Sequence, residues 1–165
     1  MKNVLELLER TAARLPRQTA FADQQCSYDY QTVVNIAGSV GSALAANGDR
    51  NCPVAVLMER GAPCLVTLMG VLYSGNFYVV LDPEMPAERV NKILRTLQPT
   101  ALICDEAHKD DPAGLDYDGK VYSAEALAAG QAQPELLQTV RRRMIDTDPA
   151  YAIFTSGSTG NPKGV

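Results

Sequence analysis

The densest chemistry in the sequence lies in "TSGSTGNPKG", Thr155 to Gly164, where three glycines, four hydroxyls and one lysine fall within ten positions. Glycines let successive backbone N–H groups turn inward into a concave anion site, hydroxyls add donors, and a lysine adds positive charge. Together these groups suit a polyphosphate. Thr155, Ser156, Ser158 and Thr159 are the candidate hydroxyl contacts. Gly157 and Gly160 allow close backbone approach, Lys163 supplies charge, and Gly164 completes the set. The pattern is not a Walker A loop, because here the lysine precedes Gly164 and Val165 follows it. From the residues alone, a flexible surface loop remains the alternative. No acid, base or nucleophile is assigned, and no metal ligand set.

A loop of this kind needs a strand to launch it and a sheet to hold that strand. The apolar "YAIF" directly before Thr155 reads as the launching strand. Upstream, "PVAVLM", "FYVVL", "TALIC" and "KVYS" read as short strands. Between them lie helical patterns. The stretch "APCLVTLMGVLYS" is apolar nearly all round and therefore buried. After Pro86, Val90, Ile93, Leu94 and Leu97 make an inner stripe. Further helices are expected from about Ser123 and from Pro134. Nearer the N-terminus, Asn3 and Glu6 resemble a capping box on a helix of about four turns with Val4, Leu7, Leu8 and Leu15 on or near one face. The stretches "TAFAD" and "QCSYD" pair as strands, and a second helix carries Val33, Ile36, Ala37, Val40 and Leu44 to a stop at Asn47-Gly48. Strands alternating with helices predict an α/β fold with a mainly parallel sheet covered by helices on both faces.

At 165 residues and 46% hydrophobic the chain can bury one core, and residues 1–165 read as one unit. Its net charge of −4 gives no reason to propose nucleic acid or an anionic membrane as a partner. The uncharged run from Gly61 to Leu81 is as long as a membrane span, but "SGN" at Ser74–Asn76 divides it into a buried helix and a buried strand. Cys26, Cys52, Cys64 and Cys104 are widely spaced and read as reduced thiols, and the N-terminus lacks the apolar core of a secretory signal, so a cytoplasmic setting is expected. The acidic "CDEAH" lacks the upstream Walker A lysine that a helicase reading needs, and His108 reads as a surface residue. The run Arg141–Arg143 reads as solvated cations at a helix C-terminus, and Asp82 as the turn residue before Pro83.

The stretch "YAIFTSGSTGNPKG" resembles the phosphate-binding signature of the adenylate-forming (AMP-binding) superfamily, which includes acyl-CoA synthetases, luciferases and nonribosomal peptide synthetase adenylation domains. "LYSGNFYVVLDPEMPAERV", with Gly75, Asp82, Pro83, Pro86, Glu88 and Arg89, is similar to a segment that amino-acid adenylation domains carry upstream of the loop. "SYDYQTV" from Ser27 resembles the family's early motif more loosely. Tyr73-Ser74 and Val80-Leu81 depart from the family's usual residues at core-like positions.

The resemblance implies the N-terminal subdomain of the acyl-CoA-synthetase-like fold, ending inside the phosphate loop. It also implies ATP and Mg2+, an amino-acid substrate activated as aminoacyl-AMP, and a carrier protein whose phosphopantetheine thiol receives the acyl group. "LDPEMPAERV" and the serine in "TSGSTG" favour amino-acid activation over a fatty-acyl or aryl-CoA ligase. Ending at Val165, the chain is expected to be inactive alone and to self-associate, so a non-catalytic association module is a further alternative.

Overall fold

In the computed structural model, residues 3–156 and 162–164 are described. The chain runs through α1 (Leu5–Arg14), β1 (Thr19–Ala22), β2 (Ser27–Asp29), α2 (Tyr30–Ala45), β3 (Pro53–Leu57), α3 (Ala62–Tyr73) and β4 (Phe77–Leu81). It continues through α4 (Ala87–Leu97), β5 (Ala101–Cys104), β6 (Lys120–Ser123), α5 (Ala124–Ala128), α6 (Pro134–Arg143), β7 (Phe154–Ser156) and β8 (Pro162–Gly164). Strands β1 and β2 form an antiparallel hairpin. The main sheet has four parallel strands in the order β4-β3-β5-β6, so the expected fold class holds.

Parallel strands joined by helices are buried on both faces, which is why β3 and β5 are apolar runs without alternation. Val54, Val56, Ala101 and Ile103 face α2, α3 and α5, against Val40, Leu44, Leu68, Val71 and Leu127. Their neighbours Ala55, Leu57, Leu102 and Cys104 face α4, against Val90, Ile93 and Leu94. A third cluster joins Leu5, Val33, Ala37, Val66, Leu72, Tyr73 and Met144 outside α2 and α3.

Helices α2 and α3 approach each other through glycine. A Cβ on Gly41 would lie 2.4 Å from the Tyr73 Cβ, and one on Gly70 would lie 2.5 Å from the Val40 Cβ. Neither neighbour can swing away, because each is a branch point fixed to its own helix. The β1–β2 turn is tied to the same helix pair: Asp23 Oδ2 accepts from the Ala62 N–H at 2.7 Å, closing the N-terminus of α3. That bond, with those from Cys26 and Gln25, holds the Asp23 carboxyl down at about 2.

Several expectations are corrected. The first helix has ten residues, and no capping box forms; Asn3 Oδ1 instead accepts from Arg141 Nη1 at 2.6 Å. Leu5 and Ala12 are its buried residues and Leu8 packs against the third cluster as expected, whereas Val4, Leu7 and Leu15 are close to half exposed. Helix α3 and strand β4 are less enclosed than expected, since Leu65 and Val80 reach solvent. Arg141 is a tie, not a solvated cation: it pairs with Glu9 at 2.7 Å and lies over the Tyr73 ring. Among the described residues, no helix is long and apolar enough to cross a membrane.

Gly70→Ala is expected to cost about 2 kcal/mol, the usual scale of overpacking between rigid neighbours. Gly114→Ala, where an added Cβ meets nothing within 4 Å, should change stability by less than about 0.5 kcal/mol. Urea unfolding of the two variants beside the parent protein checks both.

Candidate phosphate-binding site

The candidate loop opens as a hairpin. Strands β7 and β8 pair antiparallel, with Phe154 opposite Gly164, Thr155 opposite Lys163 and Ser156 opposite Pro162. The backbone therefore brings the Thr155, Ser156, Lys163 and Gly164 positions together. Gly157, Ser158, Thr159 and Gly160 lie in residues 157–161, outside the described residues. Thr155 and Gly164 are exposed. The Phe154 ring packs over Gly164, where a Cβ would come within 3.2 Å of it. On its other side Phe154 joins the apolar cluster under α4.

The launching strand differs from expectation. "YAIF" is not a full strand of the sheet; Tyr151 alone forms a parallel bridge to Tyr78, and the regular strand begins at Phe154. The Tyr78 N–H donates to the Ala150 carbonyl at 3.2 Å, and the Ala152 N–H donates to the Tyr78 carbonyl at 3.1 Å. The Tyr78 and Tyr151 rings stack with centroids 5.9 Å apart. This segment runs parallel to β4, so the hairpin emerges at the carboxyl end of the sheet, the end at which open α/β sheets bind ligands.

Three strand ends meet at that edge. Arg60, after β3, pairs with Asp82, after β4. Asp82 Oδ1 also accepts from the Glu84 N–H at 3.0 Å, and these two contacts, the backbone one foremost, lower its pKa. The turn reading of Asp82 holds, with the Arg60 pair added. Asp105, after β5, accepts from the Glu59 N–H at 2.8 Å and faces His108 Nδ1 at 2.5 Å. His108 is thus half-buried and partnered, not the surface residue expected. An open cleft of about 390 Å³ beside these residues is lined by Asp23, Glu59, Asp105, Glu106 and Glu125. Arg60 also lines it, but the lining is mainly acidic and so disfavours a polyphosphate. Among the described residues no three carboxylate, imidazole or thiol groups gather as a metal site, so no protein ligand for magnesium is assigned. Burial raises the pKa of Cys64 and pushes that of Cys104 up to about 12, which makes both poor nucleophiles at neutral pH.

Sequence reasoning missed the side-chain contacts of the segment that leads into the hairpin. Asp148 accepts from Arg50, Asn51 and the Ile145 N–H. Arg50 and Asn51 lie 98 and 97 positions away in sequence, so no local pattern signals the contact.

A family model described as "AMP-binding enzyme" matches residues 8–165. The chain is 31% identical over its full length to a plipastatin synthase polypeptide of Bacillus subtilis, spanning 4% of that protein. It is 36% identical over 91% of its length to the pyochelin synthetase PchF of Pseudomonas aeruginosa, spanning 8% of it. The chain therefore covers only a small part of the curated relatives it matches. Among solved structures, the nonribosomal peptide synthetase FmoA3 with bound α-methyl-L-serine-AMP matches 97% of this chain and 17% of its own, at 25% identity and a TM-score of 0.78. The N-terminal subdomain of NpsA from Klebsiella oxytoca matches all of this chain and 40% of its own at 21% identity and a TM-score of 0.76, a likeness of fold.

One partnered imidazole, that of His108, carries a raised pKa. The hydrogen bond to Asp105 raises the pKa of His108 against the opposing effect of burial, with the charges of Asp105, Asp111 and Glu59 adding to it. A raised histidine pKa stabilises the fold fully below the ordinary value near about 6.5 and ceases to do so as pH rises through the folded value. His108→Gln should therefore lose stability against the parent at pH 5.5 and lose less at pH 9, as read by urea midpoints at each pH. An equal loss at both would show that the imidazole contributes by packing alone.

Proposed function

The chain belongs to the AMP-binding enzyme family, and on that premise we propose that it supplies the phosphate loop of an adenylate-forming enzyme that activates an amino acid. The observation that carries this reading is the Thr155–Gly164 motif opening as a hairpin at the carboxyl end of a parallel sheet. In the proposed reaction a substrate carboxylate oxygen attacks the α-phosphorus of ATP. The bond to the bridging oxygen breaks, and pyrophosphate leaves with that bond's electron pair. A carrier-protein phosphopantetheine thiol then displaces AMP from the aminoacyl-adenylate. Magnesium, bound through phosphate oxygens, would offset their charge.

The chain's own part is to hold the β- and γ-phosphates so that the leaving group is already positioned and neutralised. The backbone at Gly157, Gly160 and Gly164 would approach the phosphates closely. The hydroxyls of Thr155, Ser156, Ser158 and Thr159 would donate to their oxygens, and Lys163 would place a charge beside them. The free thiols of Cys26, Cys52, Cys64 and Cys104 accord with a reducing, cytoplasmic setting. Residues 1–165 act as one portion of the adenylation domain and by themselves are catalytically inert.

A second reading, an association module, draws on Val80, Tyr151 and Ile153, which leave apolar surface exposed around the outer edge of β4. Self-association through that edge belongs to the proposal, and concentration-dependent light scattering tests it; a monomer at high concentration would sink it.

ATP–pyrophosphate exchange with the twenty amino acids pooled is the direct test, run on the 165-residue chain and on the longest product of its gene. Exchange by the longer protein alone is expected. Exchange with fatty or aromatic acids and with no amino acid would instead favour a fatty-acyl or aryl-CoA ligase. In whichever protein binds magnesium pyrophosphate, Lys163→Ala should weaken binding by about tenfold or more, the value of one charge-assisted contact. Unchanged affinity would remove Lys163 from the site.

A further inference from the structure

We propose that Asp148 is the positioning residue of the phosphate hairpin: its carboxylate sets the register in which the loop-bearing segment docks on β4. The inference rests on the phosphate reading above and concerns how the loop is aimed.

The segment itself does not specify its register. Tyr151, Ala152, Ile153 and Phe154 are apolar at every position, so the sequence lacks the alternation that normally chooses which side chains face the core. The structure nevertheless shows one arrangement. Ala152 and Phe154 pack into the cluster under α4, while Tyr151 and Ile153 are more than half exposed. A slip of one residue would exchange these pairs, bring Tyr151 and Ile153 inward, and turn the Thr155 and Ser156 positions to the opposite side. Among the described residues the backbone bonds that join the segment to β4 are the two at Tyr78, and any neighbouring residue could make them.

Asp148, two residues before Ala150, is where the choice is made. Its side chain is only 10% exposed. One oxygen or the other accepts from Arg50 Nη2 at 3.0 and 3.3 Å, from Asn51 Nδ2 at 2.9 Å and from the Ile145 N–H at 2.9 Å. The Asp148 N–H returns a bond to the Ile145 carbonyl at 3.2 Å, closing the turn after α6. The donors are themselves fixed. Arg50 Nη2 also donates to the Arg143 carbonyl at the end of α6. Asn51 adopts a left-handed backbone, with φ of 53°, and its N–H donates to the Gly75 carbonyl at 2.9 Å. Gly75 in turn has φ of 79°, with Val140 where a Cβ would stand. Three parts of the chain thus converge on one carboxylate: the end of α6, the approach to β3 and the turn after α3. No other residue from 145 to 154 is tied by its side chain to so many fixed groups among the described residues.

The test uses the full 165-residue chain with Asp148→Ala and the milder Asp148→Asn, which keeps an acceptor for the Ile145 N–H but loses the charge. Amide hydrogen exchange is read separately for peptides covering residues 150–156 and for β3 and β5. Expected is exchange at 150–156 faster by about tenfold or more in Asp148→Ala, a smaller rise in Asp148→Asn, and unchanged exchange in β3 and β5. Binding of magnesium pyrophosphate should weaken in the same order. Unaltered exchange at 150–156 in Asp148→Ala, or a rise shared equally by the central strands, would overturn the positioning role. Exchange accelerated at 150–156 with unchanged pyrophosphate affinity would also overturn it. Absence of pyrophosphate binding by both the parent chain and the longest product of its gene would overturn the phosphate reading on which the aim of the loop depends, while the exchange data still decide whether Asp148 docks the segment.

Discussion

The backbone-to-backbone approach of α2 and α3 at Gly41 and Gly70 is the constraint on which the remaining architecture hangs. Both helices cover the same face of the sheet, and the strands beneath them are spaced by hydrogen bonding at about 4.8 Å. Two helices with ordinary side chains at their crossing would stand about 8–10 Å apart. Removing the side chains at the crossing lets α2 reach inward over β3 and β5, and leaves its outer side free to carry α1 and α6 as a further layer. That outer layer carries the Arg50–Arg143 contact and hence the anchorage of Asp148.

The sheet was legible because its physics is local. Val54 to Leu57 and Ala101 to Cys104 are uninterrupted apolar runs too short for helices, and Val90, Ile93 and Leu94 recur at the helical period. The motif on which the phosphate proposal rests stands out for a similar reason, since its glycines, hydroxyls and lysine fall within ten positions. What stayed hidden depends on partners distant in sequence. Helix α1 has apolar residues over a wide arc, and only the positions of α2 and Met144 decide that Leu5 faces inward and Leu7 outward. Arg141 looks like any helix-terminal cation until Glu9, Asn3 and Tyr73 surround it. "YAIF" has the composition of a central strand, yet it meets β4 at one residue.

Charge divides the carboxyl end of the sheet between two tasks. The carboxylates around the cleft are occupied as connectors: Asp23 closes α3, Asp105 joins β3 to His108, and Glu125 receives the Glu106 N–H at 3.0 Å. These bonds fasten the loops that leave the sheet, and they make the region unwelcoming to anions. The β7–β8 hairpin is a separate structure, reached through the Tyr151–Tyr78 bridge at the outer edge of β4. Rigidity and, in the proposed reading, anion recognition thereby fall on different segments of the chain.

The Arg50–Asp148 pair, spanning 98 positions, also orders events in time. Each βαβ unit of the core closes over a few tens of residues, whereas this contact closes a loop more than half the length of the chain, and loop closure is entropically dearer with length. The surface on which the hairpin docks must therefore exist before the hairpin can be seated. As the chain is synthesised from its N-terminus, strands β3 to β6 and their helices are available to fold while the glycine-rich stretch is still being made. The hairpin segment is thus delivered after the platform on which it docks.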